Sequence, residues 1–148
     1  MITPDDTATF WFLARMSLEC QLFPPFAVIE IVLLTALIYF AHQKRRLLPE
    51  YGLQIFVLGL FFACCYLMVL VIATLGSNSA NPALRQPVMP AAANSLTAIF
   101  WSSIAVSIYA GWRLRTVRSF ATAFVLLSCW LLQSAFFVAG MSISGEWL

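Results

Sequence analysis

GLQIFVLGLFFACCYLMVLVIATL, residues 52–75, decides the fold: 24 residues without one charge. A helix that crosses hydrocarbon needs about 20 mostly apolar residues. Lipid offers no partner to a bare N–H or C=O, and a helix closes its own. Two further charge-free runs follow, Pro90 to Trp112 (a helix expected over 91–112) and Ser119 to Gly140. Upstream, Pro25 to Ala41 gives a shorter fourth span that contains Glu30. Pro24-Pro25 suits its start, and Ile31 to Phe40 is densely apolar. The expected fold class is all-α: a polytopic four-transmembrane-helix bundle, one membrane domain over residues 1–148, with an N-terminal interfacial helix.

Composition agrees. Of 148 residues, 62% are hydrophobic and 9% charged, against about 25% charged in soluble domains. So little polar surface cannot coat a water-facing globule, so lipid is the coat. The net charge of +2 gives no footprint for nucleic acid. The start, Met1-Ile2-Thr3-Pro4-Asp5-Asp6, is acidic, so a cleaved secretory signal is not expected. No lipidation motif is visible at either end.

Orientation follows from the basic residues. Lys44, Arg45 and Arg46 separate spans one and two; Arg113, Arg115 and Arg118 separate spans three and four. The positive-inside rule puts both short loops in the cytoplasm. Both termini and the loop Gly76 to Met89, rich in Asn78, Asn81, Pro82 and Pro87, are then outside. A bacterial cytoplasmic (inner) membrane is the expected location. The six basic residues, with His42, are expected to meet lipid headgroups, and Trp112 and Trp147 to sit at interfaces.

Residues 4–22 predict one more helix. Thr3 is placed to cap it, Pro4 fits its first turn, and Asp5 and Asp6 suit its positive end. Arg15 and Glu19 are spaced to pair. Phe10, Trp11, Phe12, Leu13, Met16 and Leu18 share no clean face. The segment reads as a helix lying on the outer leaflet; a docking surface for a partner is the rival reading. The two hairpins also echo one another. Ile38-Tyr39 matches Ile108-Tyr109, and Phe56-Val57-Leu58 matches Phe124-Val125-Leu126. Chance identity among apolar residues accounts for this more simply than a tandem repeat does.

Glu30 is the sharpest departure from the apolar rule. Counted along its span it lies about 4–5 Å to the outer side of the midplane, where a bare carboxylate costs on the order of 3 kcal/mol. It is either an ion- or proton-coupling group or a packing group. Depth counting sets it level with Cys64 to Met68, Thr97 to Trp101 and Cys129 to Gln133, and Gln133 is its expected hydrogen-bond partner.

Of four cysteines, Cys64, Cys65 and Cys129 fall near the midplane, with Met68 a turn beyond Cys64. Soft ligands of this kind suit Cu(I), but adjacent residues point to different helix faces and no CxxC is present. The frame Ile38-Tyr39-Phe40, Pro49, Cys64 and Leu96-Thr97-Ala98, over residues 25–112, distantly resembles the copper-binding transmembrane sensor of ethylene receptors. The resemblance implies a copper site at Cys64. The chain departs from that family by Met68 where it has histidine, by an acidic residue out of register, and by a fourth span. The expectation adopted is no metal and no cofactor. The single histidine excludes paired axial imidazoles for haem. Ser103, Ser107 and Gly111 recur every four residues, a small-residue seam that brings helices together. Gly59 with Ala63, and Ala135 with Ala139, offer similar seams.

No serine–histidine–acid set, phosphate loop or carboxylate pair lies in the spans. The expected function is that of a non-catalytic membrane subunit or accessory protein of a larger complex. Its partners would be the bilayer and other membrane subunits or a copy of itself. The alternative is a small homo-oligomeric transporter or channel that uses Glu30.

Overall fold

The computed structural model describes residues 4–77 and 89–145, with side chains from residue 6. Thr3, the loop residues Asn78, Asn81, Pro82 and Pro87, and Trp147 lie outside the described residues. Five helices make up the described chain: α1 Pro4–Leu22, α2 Pro24–Gln43, α3 Gly52–Leu75, α4 Pro90–Arg113 and α5 Arg118–Ser144. The last four are long and apolar enough to cross a membrane. Short 3-10 turns at Leu48–Tyr51 and Arg115–Val117 precede α3 and α5.

Local chemistry sets the boundaries. Phe23 is extended, and Pro24 opens α2 at a position that lacks an internal acceptor anyway. Pro90 opens α4 in the same way after an extended Met89. α5 runs beyond the expected residue 140 to Ser144. It stops at Gly145, whose φ of 71° is left-handed and whose N–H returns to the Met141 carbonyl at 2.9 Å.

α3 and α5 lie side by side and point the same way. Near one end Gly59 meets the Phe124 ring, 3.4 Å from where a Cβ would stand. Near the other, Ser142 Oγ donates to the Ala73 carbonyl at 3.2 Å. Val69, Leu70 and Ala73 of α3 and Ala135, Val138 and Ala139 of α5 are the buried centre. α4 runs back along both, burying Ile99, Ser103 and Ala110. α2 lies outside, antiparallel to α5. The Phe26 ring is 5.4 Å from that of Trp130, and Phe40 shares a groove with Arg118 and Ser119. No residue of α2 is buried.

Leu53 and Gln54 meet Arg113 and Leu114 at the same end where Phe40 meets Arg118. Both basic loops therefore stand at one end of the bundle, called the basic end below.

α1 differs from the expectation of a helix resting on the outer leaflet. Leu13 and Ser17 are 0% exposed, and the side-chain bonds of Ser17 go to Tyr66 and Ser134. These partners lie 14 and 16 residues into α3 and α5, about 21–24 Å from the basic end. The second half of α1 therefore packs well within the lengths of α3 and α5. The break at Phe23 thus lies deep in the bundle, with α1 covering the half beyond it and α2 the half toward the basic end. The physical reason is on one face: Leu13, Ser17, Cys20 and Gln21 stand at i, i+4, i+7 and i+8, the first two buried and the last two half-buried.

A polar cluster at the centre of the bundle

Four polar side chains from three helices meet at this depth. Tyr66 Oη donates to Ser17 Oγ at 2.9 Å. Ser17 and Ser134 share a bond of 2.9 Å. Gln21 Nε2 donates to Ser134 Oγ at 2.9 Å, and Ser134 Oγ donates to the Leu131 carbonyl at 2.8 Å. Each hydroxyl has one proton, which fixes the direction: Tyr66 to Ser17, Ser17 to Ser134, Ser134 to the backbone. The chain ends on a carbonyl that carries no exchangeable proton. Among the described residues its hydroxyls bond to one another, to Gln21 and to the backbone. It is built to hold α1 against α3 and α5, since each group would otherwise be left unpaired in an apolar interior.

Sequence reasoning missed Ser17, Gln21, Tyr66 and Ser134. The usable signal was the four-residue spacing of Ser17 and Gln21, which marks a polar stripe on one face of α1. The expected Arg15–Glu19 pair does form, Nε to Oε1 at 2.7 Å, on the outward face, with Arg15 79% and Glu19 48% exposed.

Glu30 and Gln133 are not hydrogen-bonded to each other. Glu30 lies on the α5-facing side of α2, between Phe26, packed on Trp130, and Leu33, grouped with Leu126. That is about a turn nearer the basic end than depth counting placed it, because α2 begins inside the bundle rather than at its edge. Its Oε1 is enclosed and has no partner among the described residues. Gln133 is exposed and lines two clefts. One, of roughly 420 Å³, lies between the α1–α2 break and α5 and is walled by Phe23, Phe26, Trp130 and Phe137 with Glu19 at its edge. The other lies between α4 and α5, with Thr97, Ser103 and Cys129. Gln133 thus differs from its neighbour Ser134: one residue turns a helix about 100°, enough to carry a side chain from the buried seam to the outside.

The four cysteines are free. Cys64 and Met68 are exposed, Cys65 is buried, and Cys129 Sγ sits 3.7 Å from Ser107 Oγ. The described residues bring no three His, Cys, Asp or Glu side chains together. Cys65 turns into the bundle, whereas Cys64 and Met68, one turn apart, share an exposed face of α3. His42 and the six basic side chains cluster at the basic end without an ion pair among the described residues.

In the small-residue seam, Ser103 is buried and donates to the Phe100 carbonyl at 2.7 Å, and Ser107 donates to the Ser103 carbonyl at 2.6 Å. Gly111 faces open space, with nothing within 4 Å of a Cβ. The seam therefore closes at Ser103 and opens toward the basic end. Comparison with protein-family models, with curated proteins and with solved structures finds no match for this chain.

Proposed function

We propose that this chain is a non-catalytic integral membrane subunit whose α1–α2–α5 side receives a transmembrane partner. The observation that carries the reading is the polarity of that side. Arg15 and Glu19, paired with each other, are exposed on the outward face of α1 on either side of Ser17. Gln133 is exposed and shares a cleft with Glu19, and Glu30 keeps an oxygen without a partner among the described residues. Polar and charged groups inside a membrane are costly against lipid and are normally turned toward protein or a water-filled cavity. The central cluster supports the non-catalytic part, because its hydroxyls are spent on one another and on the backbone. The alternative, a homo-oligomeric transporter, draws on the lone Glu30 oxygen. Purification in mild detergent separates them: a fixed set of different polypeptides supports the subunit reading, and a pure homo-oligomer the transporter. In either case an inner-membrane setting with the basic end cytoplasmic agrees with the charge asymmetry.

A further inference from the structure

A cleft of roughly 420 Å³ opens where α3 and α4 meet at the basic end. Its upper wall is apolar, made by Val57, Leu58, Phe61 and Val106; its mouth carries Gln54, Tyr109 and Arg113. We propose that this cleft holds one anionic phospholipid, with an acyl chain along the apolar wall and the phosphate at Arg113 and the Gln54 amide.

Three observations converge on that occupant. The cleft is smaller than a whole phospholipid and would take its headgroup and part of one acyl chain, the rest lying in the bilayer. The polarity runs the way a lipid does: Arg113 closes α4, and the wall turns wholly apolar within about two turns, by Phe61 and Val106. Gln54 has its Oε1 enclosed, where no donor among the described residues meets it. That leaves its amide N–H groups as the end available to an acceptor in the cleft. The guanidinium is a planar fork suited to phosphate oxygens, and Tyr109, 58% exposed one turn above it, offers a phenolic hydroxyl at headgroup level. Arg115, by contrast, does not line the cleft. This site stands apart from the α1–α2–α5 side and does not depend on the subunit reading.

The test uses the full-length protein, delipidated in detergent and re-exposed to equal amounts of phosphatidylglycerol and phosphatidylcholine, with bound lipids counted by native mass spectrometry. The expected result is one retained phosphatidylglycerol. Its apparent affinity falls about fivefold in Arg113→Gln, the worth of one basic contact near a membrane surface. Gln54→Leu is expected to fall in the same direction, while Arg115→Gln keeps the wild-type affinity. Soluble glycerol 3-phosphate is expected not to displace the lipid, since it lacks the acyl chain. Equal retention of both lipids would overturn the proposal, as would equal losses in Arg113→Gln and Arg115→Gln, which would mark a diffuse surface charge. Displacement by glycerol 3-phosphate would overturn it too, by marking a phosphate site without a lipid.

Discussion

Ser17 and Ser134 lie 117 positions apart in the chain, yet their hydroxyls are 2.9 Å apart in the buried centre of the bundle. The bond joins α1 to α5, and Tyr66 of α3 completes it. It packs the N-terminal helix against both α3 and α5.

The bond is expected to be worth measuring in both directions. Ser17→Ala strands the Tyr66 hydroxyl, and Ser134→Ala strands Ser17 and Gln21. Each change is predicted to destabilise the protein by about 1 kcal/mol, and a double-mutant cycle to give a coupling of about 0.6–1.7 kcal/mol. Unfolding in mixed micelles reads both. A coupling of zero would mean that the two hydroxyls do not interact.

Gly59 and Gly111 look alike in the sequence and differ in the structure. The place of a Gly59 Cβ faces the Phe124 ring, whereas that of Gly111 faces open space. Gly59→Leu is predicted to cost about 1–3 kcal/mol by overpacking the α3–α5 seam. Gly111→Ala is predicted to be neutral or to stabilise by up to about 1 kcal/mol, the gain in helix propensity. Equal effects in the same unfolding assay would argue against the parallel α3–α5 contact.

The spans themselves were legible. Residues 52–75 form a helix with the expected bounds, and the runs at 91–112 and 119–140 lie inside longer helices. A bilayer-length apolar run has few other solutions, so composition alone carries that far. The N-terminal helix was legible as a helix but not as a core element. Its apolar residues surround it, and its inward face is picked out by Ser17 and Gln21, which read as polar surface when taken singly. Glu30 was recognised, but its depth was misjudged, because counting from Pro25 assumed that α2 starts at a membrane surface. Ser134 was not legible as a core polar group, because the register between helices is invisible until they pack.

Glu30 has an enclosed oxygen that no donor among the described residues meets, so in the isolated chain it is a liability. Glu30→Leu is predicted to stabilise the purified protein by on the order of 1 kcal/mol while weakening assembly with its partner. Thermal unfolding and copurification yield read the two effects. A large loss of stability on Glu30→Leu would show instead that the carboxylate holds the bundle together.

The basic end is predicted to be cytoplasmic and both termini external. Reporter fusions after Lys44 and after Leu148 check this. A cytoplasmic signal from the second would reverse the topology.

The most direct test places a photoreactive side chain at Gln133, in the cleft beside Glu19, and another at Ile38, on the outward face of α2, in cells that make the full protein. Irradiation of Gln133 in native membranes is predicted to give one discrete adduct with a different membrane polypeptide, stronger than any from Ile38. Adducts with lipid alone, or only with a second copy of this chain, would contradict the assignment of the α1–α2–α5 side to a partner subunit.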